Sequence, residues 1–325
     1  MPVKLYSCES DSKWDEFQNA SPHGSIYSQT RFLSALNIPC EKLFLDVNDK
    51  IVASALVIEP GNDSFRAPFP ASMYQGLSLA PMLGKRHSVV TKNLQAATLM
   101  IEMLSRRYNT LEFCLHREFN DIRPLQWFNY HSPESDQFGI KLKYTGIIQF
   151  ESYKDFDSYF QSIRTVRRQE YRKAEKAGLE VMESDNISEF IRLYELTFRR
   201  QGVNLEKSKL ERVIRISETA ISSGFGRLTL CGDARSNVHA GILTLQDNNC
   251  TYYQFSATDP EFRSSGASTC LLLHNIRHSM ESGKNTFDMV GINSPNRGDY
   301  KVSFNALPTP YFIASWRNRI KHPLL

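Results

Sequence analysis

The stretch CTYYQFSATDPEFRSSGAS, residues 250–268, decides the fold of the second half of this chain. An alternating, strand-like segment leads to an arginine and a run of small residues, and a helical pattern begins near residue 267. Small residues at such a junction let backbone N–H groups approach an anion, and the helix adds its positive dipole end. The stretch therefore predicts an anion site, with an ordinary strand-to-helix turn as the alternative.

Length and composition are those of a globular protein of two domains. The chain has 325 residues, of which 41% are apolar and 23% charged. It holds no apolar run of about 18 residues, so no membrane span is predicted. Its first residues lack a signal-peptide pattern, and its six cysteines are scattered, so we expect buried free thiols and a cytoplasmic protein.

The net charge of +4 is unevenly distributed. Residues 1–150 hold 15 basic and 15 acidic residues, so the whole excess lies in residues 151–325. Much of it falls in one predicted helix, where only Glu170 and Glu175 oppose six cations: Arg164, Arg167, Arg168, Arg172, Lys173 and Lys176. This pattern indicates an anionic partner, but it is too small to indicate DNA binding.

The order strand, helices, hairpin strands, helix, strand occurs twice, which predicts a mixed α/β fold in two similar halves. In the first half we predict a hairpin over 42–47 and 50–60 and a helix over 90–107. In the second half we predict one helix over 154–177, a capping box at Asn186, three consecutive strands and a helix over 267–282. The polar stretch between 131 and 145 marks the boundary.

Residues 263–268 resemble the R-x-x-G-x-G/A pyrophosphate loop of the GNAT acyltransferase superfamily, with Ser268 in the last small position. The order of elements around the loop is also that of GNAT domains. Its double occurrence resembles the FemAB family, whose members carry two tandem GNAT-like domains. "SIRTVRRQEYRKAEKAGLEV" and "FDMVG…RGDYKVSF" carry the resemblance over 144–312, whereas over 1–130 it depends on element order and on "PFP…Y-x-G".

The resemblance implies two tandem GNAT-like acyl-CoA N-acyltransferase domains. Residues 1–140 would be a degenerate domain on the acceptor side, and residues 141–325 would bind the donor and carry catalysis. The donor would be acyl-CoA, held by Arg263, Ser264, Ser265, Gly266, Ala267 and Ser268. Aminoacyl-tRNA is the alternative donor, although the chain has no room for the long helical arm of the family members that use it.

Three residues are candidates for catalysis. Lys301 carries over from the family's Lys-Phe segment as a cation of the donor channel, with a surface lysine in a β-hairpin as the alternative. Asp288, at the end of a strand expected to part from its neighbour, could be the general base, orient the acceptor, or cap a loop. Tyr252 and Tyr253 alternate faces, so one should face the cleft, where Tyr253 or Ser256 could protonate the leaving group.

Substrate-binding candidates are polar and mostly basic. Arginine pairs suit phosphates of a nucleotide or a lipid carrier, and the alternative for the basic helix is a solvated face. The predicted set is Tyr74, Gln75, Arg167, Arg168, Asn293, Arg297 and Tyr300. No metal is expected, because the eight histidines form no ligand pattern.

Together these features predict an N-acyltransferase that acts on an amine of a cell-envelope precursor, either an amino sugar or a peptidoglycan peptide. The acceptor would be an anionic small molecule or a lipid-linked one. Two alternatives stay open at this point: an aminoacyl-tRNA-dependent enzyme of the same fold, and a non-catalytic GNAT-fold binding protein, which the serine at 268 keeps open.

Overall fold

The computed structural model describes residues 2–58, 71–132 and 134–318. The chain divides into two compact units, one made of Met1–Lys143 with Pro310–Leu325 and the other of Tyr144–Thr309. The predicted division had placed all of 141–325 in the second domain. The predicted "PFP" motif lies outside the described residues. Within those residues, no helix is long and apolar enough to cross a membrane.

The first unit contains a four-stranded sheet. Its strands are β1 (Val3–Ser7), β2 (Cys40–Val47), β3 (Ile51–Ile58) and β4 (Leu77–Leu79), paired antiparallel in that order. Strands β2 and β3 form the predicted hairpin, and Asn48 and Asp49 in its turn have positive φ. Strand β5 (Thr110–Cys114) pairs antiparallel with the last strand of the chain, β12 (Leu307–Arg317).

Helices cover this sheet and close the core of the first unit. They are α1 (Asp11–Ala20), α2 (Thr30–Leu36), α3 (Arg86–Arg107) and α4 (Arg123–Gln126). The inner face of α3 places Ala97, Met100, Ile101 and Leu104 in one cluster with Leu43 and Phe113. These helix positions recur at the three- and four-residue spacing that predicted the helix.

The second unit has six strands in the order β6-β11-β10-β9-β8-β7. The strands are β6 (Gly139–Gln149, which begins in the first unit), β7 (Glu180–Glu183), β8 (Gly226–Gly232), β9 (Val238–Gln246), β10 (Cys250–Thr258) and β11 (Thr286–Asp288). The helices are α5 (Phe156–Ser162), α6 (Thr165–Lys176), α7 (Ile187–Arg200), α8 (Lys207–Ser222), α9 (Ala267–Glu281) and α10 (Pro295–Val302). Asn186 caps α7, because its side chain accepts from the Glu189 N–H at 3.0 Å.

The prediction of one helix over 154–177 is wrong, because the chain breaks between α5 and α6. The backbone of Ile163 is extended and does not continue the helix. Its side chain lies in the core, with 2% exposure. The Arg164 N–H donates to the carbonyl of Ser303 at 3.0 Å. A partner far along the chain thus takes the hydrogen bond that a continuous helix would use.

Strands β10 and β11 run parallel and separate after three paired residues. The pairs are Cys250–Thr286, Thr251–Phe287 and Tyr252–Asp288. Beyond them, β10 continues to Thr258 against β9 alone, with an irregularity in register between Tyr253 and Phe255. The two strands therefore part where β11 ends, as expected.

We predict that His23 makes the first unit sensitive to acid. His23 is 6% exposed, and its Nδ1 accepts from the Leu79 N–H at 3.2 Å. Burial lowers the pKa of His23 from 6.5 to about 4, opposed by a hydrogen bond to the Glu118 backbone. Between these values only the unfolded chain takes the proton, so stability falls as pH drops from 6.5 toward 4, by about 1.4 kcal/mol per pH unit.

The test compares His23→Asn, whose amide oxygen replaces Nδ1 as acceptor, with the wild type across that pH range. Tryptophan fluorescence in urea reports this unit, because all three tryptophans, Trp14, Trp127 and Trp316, belong to it. The variant should lose less stability on acidification, whereas the control His87→Asn, at an exposed position of α3, should match the wild type. Equal acid sensitivity in His23→Asn and wild type would show the prediction to be wrong.

Candidate active site

A cavity of about 620 Å³ in the second unit lies against the part of β10 that has no partner on the β11 side. Its wall is formed by β10 from Tyr253 to Thr258, by the junction before α9, and by side chains of α6, α7 and α10. The cavity therefore lies beside the predicted anion loop, and the separation of two parallel strands leaves room for it.

The loop at 263–268 has the conformation that its small residues predict. Gly266 has φ +88° and precedes α9 as its N-cap. A Cβ at this position would stand 2.4 Å from the carbonyl oxygen of Glu170, so any side chain would push α6 away. Lys173 on α6 donates to the carbonyl of Ser264 at 2.6 Å, which ties the loop to the same helix.

Backbone donors remain available at the start of α9. The Ala267 N–H donates to Ser265 Oγ at 3.3 Å, and the Ser268 hydroxyl bonds Thr258 Oγ1 at 2.7 Å. In the described part of the chain, the N–H groups of Ser268 and Thr269 have no acceptor. Both residues line the cavity together with Arg263, so the start of α9 and an arginine are part of its wall.

Lys301 fixes the turn that follows β11. It lies on α10, is only 6% exposed, and its ammonium donates to the carbonyls of Met289, Val290 and Gly291. Val290 has φ +49° and Gly291 φ +65°, an uncommon conformation for a β-branched residue. The three ammonium protons thus meet three carbonyls that the strained turn directs to one point. The alternative of a surface lysine in a hairpin is wrong.

Asp288 supports the same turn from the other side. It is fully buried, and its Oδ1 accepts from the Thr145 hydroxyl and from the Val290 N–H at 2.8 Å. The cavity wall does not include Asp288. These contacts are those of the capping alternative, and the role of general base stays a prediction.

Lys301 and Tyr253 stand together on the cavity wall. The Lys301 nitrogen lies 5.2 Å from the centre of the Tyr253 ring. Burial lowers the pKa of Lys301 to about 7, with Arg297 acting in the same direction and Asp288 against it. Burial also raises the pKa of Tyr253. Tyr252 points to the other face and donates to Asp247 at 2.6 Å, which confirms the predicted alternation of the two tyrosines.

Four polar side chains form a cluster between α6, α9 and α10. Glu170 Oε2 accepts from Arg167 Nη1 at 2.7 Å and from the Thr269 hydroxyl at 2.6 Å. The Arg167 guanidinium lies 4.9 Å from the ring centre of Tyr300 and 5.9 Å from that of Phe304. Burial raises the pKa of Tyr300 well above its usual range. The four residues are Arg167, Glu170, Thr269 and Tyr300.

Of the remaining predicted site residues in the second unit, Arg297 lines the cavity, whereas Asn293 and Arg168 do not. Arg297 is exposed on the cavity wall and makes no ion pair within the described residues. Asn293 instead holds the backbone of Tyr144 through two bonds of 2.8 Å. Arg168 donates to the carbonyl of Gln161 and to Thr165 Oγ1, so its side chain links α6 to the end of α5. Neither Asn293 nor Arg168 lines the cavity.

Tyr74 and Gln75 belong to the interior of the first unit. Tyr74 is 2% exposed and contacts the rings of Tyr27, His116 and Tyr311. Gln75 is fully buried and donates to the carbonyl of Tyr27 at 3.1 Å. Both side chains thus have packing roles, and binding of substrate by them stays a prediction.

Comparison with known families places the cavity in a recognised domain. Residues 161–302 match the family model described as "Acetyltransferase (GNAT) domain". These residues form a GNAT acetyltransferase domain. This match supports the prediction of an acyltransferase. No curated protein matches the chain.

Solved structures show that a similar fold covers nearly the whole chain. FemX is similar with a TM-score of 0.69 at 13% identity, over 96% of this chain and 97% of its own. A tandem GNAT protein from the clavulanic acid biosynthesis pathway, solved without AcCoA, gives 0.56 at 10%, over 98% of each chain. L-PGS from Bacillus licheniformis gives 0.52 at 11%, over 94% of this chain and 91% of its own.

Several residues that line the GNAT domain's cavity were not predicted from the sequence. They come from α6, α7 and the first turn of α9: Glu170, Tyr194, Thr197, Phe198, Arg200 and Thr269. Tyr194 contacts the rings of Phe198 and Phe255, so these two residues of α7 also have a packing role. The only signal for Glu170 was its position as an acid inside a basic helix.

We predict that Lys301→Met destabilises the GNAT domain by about 2–4 kcal/mol, because three carbonyls lose their donor and the strained turn loses its tether. Methionine keeps the apolar part of the side chain. The matched control is Lys284→Met, which removes one bond, to the carbonyl of Asp247 at 2.6 Å. Urea unfolding followed by far-ultraviolet circular dichroism measures both, and equal losses in the two variants would contradict the prediction.

Proposed function

We propose that this protein transfers an acyl group from acyl-CoA to an amine of an anionic cell-envelope precursor. One observation carries the proposal: the wall of the cavity at the separated ends of β10 and β11 includes Ser268 and Thr269 of the loop as well as Lys301 and Tyr253. A thioester donor needs both, since its diphosphate and its reacting carbonyl lie at opposite ends of an extended arm.

The donor would bind with its diphosphate near Arg263 and the amides of Ser268 and Thr269. A helix N-terminus and a guanidinium that makes no ion pair among the described residues suit this charge. The pantetheine arm would follow β10 toward Tyr253. The loop residues Ser265 and Ala267 would act through their conformation, because they do not line the cavity.

In the reaction, the neutral amine of the acceptor attacks the thioester carbonyl. A C–N bond forms and the C–S bond breaks. The Tyr253 hydroxyl is the proposed donor of a proton to the leaving thiolate of coenzyme A, and the proton released by the amine nitrogen restores that hydroxyl through water. The Lys301 ammonium would stabilise the oxyanion through its field, since its three N–H bonds are already directed to carbonyls.

The acceptor is proposed to be anionic because cations dominate the wall. Among the described residues that line the cavity, Glu170 is the one carboxylate, against five cations: Arg167, Arg200, Arg263, Arg297 and Lys301. Arg297 lies at the first turn of α10 and suits a phosphate or carboxylate of the acceptor. An amino sugar on a nucleotide or lipid carrier, or a peptidoglycan peptide, has this charge. A cytoplasmic site of action is part of the proposal.

One observation favours aminoacyl-tRNA as a second candidate donor. Helix α6 lies directly on the loop through Gly266 and Ser264, and Glu170 is bound at the start of α9. This arrangement limits the space for a diphosphate. An aminoacyl-tRNA donor has no diphosphate to place at this loop, so it would not need that space.

We predict that Arg263→Ala weakens binding of acetyl-CoA at least tenfold, because one charge-assisted contact to phosphate is lost. Isothermal titration calorimetry measures the affinity. The matched control is Arg235→Ala in the turn between β8 and β9, which should bind like the wild type. If no heat of binding appears with acetyl-CoA or longer acyl-CoA for the wild type, the acyl-CoA donor is excluded and aminoacyl-tRNA is the candidate to test.

A further inference from the structure

Glu170 is the one carboxylate among the described residues that line the cavity beside the proposed phosphate site. Its Oε2 accepts from the hydroxyl of Thr269, in the first turn of α9, and from Arg167 Nη1. The N-terminus of a helix attracts anions, and here a carboxylate of the protein already lies beside it. In the described part of the chain, Glu170 Oε1 has no hydrogen-bond partner.

The two members of the ion pair are held differently. Arg167 stacks on the rings of Tyr300 and Phe304, and 16% of its side chain is exposed. Among the described residues, the Glu170 side chain has two hydrogen-bond partners, Arg167 and Thr269, and 34% of it is exposed. Arg167 would thus keep its place without Glu170, whereas the carboxylate can rotate toward solvent.

We propose that Glu170 is a displaceable counter-anion of the donor site and sets the donor's affinity. Its carboxylate occupies the position at Thr269 and Arg167 that a donor phosphate takes on binding. When the diphosphate arrives, Glu170 leaves, and the phosphate oxygens receive the Thr269 hydroxyl and the Arg167 guanidinium. The proposal rests on the proposed function in one respect: the diphosphate that displaces Glu170 is taken to be that of acyl-CoA.

Two physical consequences follow for donor binding. A diphosphate has to replace the Glu170 carboxylate at Arg167 and Thr269. The wild-type protein therefore binds a diphosphate more weakly than the same cavity would without that carboxylate. Without the carboxylate, Arg167 and the helix N-terminus have no internal anion and attract phosphate more strongly. Ligands that lack a diphosphate experience neither effect.

The experiment uses Glu170→Gln, which removes the charge but keeps an oxygen that can accept from Thr269. Calorimetry measures the affinity of the full-length protein for coenzyme A, for inorganic pyrophosphate, and for pantetheine, which has the same thiol arm without a diphosphate. Glu180→Gln, an exposed carboxylate on β7, is the matched control. Glu170→Ala and the urea midpoint of each variant separate a charge effect from a loss of folding.

We expect coenzyme A and pyrophosphate to bind at least tenfold more tightly to Glu170→Gln and Glu170→Ala, with pantetheine and Glu180→Gln unchanged. Unchanged or weaker binding of both ligands by folded variants overturns the proposal, even if the wild type binds coenzyme A. If neither protein binds coenzyme A but the Glu170 variants gain affinity for pyrophosphate, the counter-anion is supported and only the acyl-CoA donor fails.

Discussion

The ammonium of Lys301, held by three consecutive carbonyls, is the interaction on which the catalytic domain depends. It stabilises a turn in which Val290 and Gly291 both have positive φ, and the buried carboxylate of Asp288 completes that turn. The turn ends β11 after three residues paired with β10. The same lysine fixes α10 to the sheet, so Arg297 and Tyr300 reach the cavity wall. Separation of the strands and assembly of the wall therefore have one cause.

Helix α6 gives the second constraint, because it lies against the anion loop. The absence of a Cβ at Gly266 lets the carbonyl of Glu170 approach, and this approach brings Arg167, Glu170 and Lys173 to the loop. The same glycine thus permits both a bare backbone and the contact with a charged helix. The basic residues of α6, which could form a solvated face, have different roles in the structure. Arg167 lines the cavity, whereas Arg168 links α6 to α5.

Much of the fold could be predicted because its signals are local. Alternation gave the β2–β3 hairpin and the opposite faces of Tyr252 and Tyr253, and the cap at Asn186 needs only its neighbour Glu189. Other features depend on distant partners. The break before α6 requires Ser303, and α10 contains a proline and a glycine, with Gly298 against the carbonyl of Ile292. Glu170 belongs to the site because its carboxylate bonds Thr269 and Arg167. No periodicity in the sequence connects Glu170 with Thr269.

The division of the chain has a consequence for its synthesis. Strand β5 pairs with β12, and residues 310–325 belong to the same unit as residues 1–143. During translation, the whole acyltransferase domain leaves the ribosome before the strand that β5 needs. The edge of β5 that pairs with β12 therefore lacks its backbone partner until residues 313–317 have been synthesised.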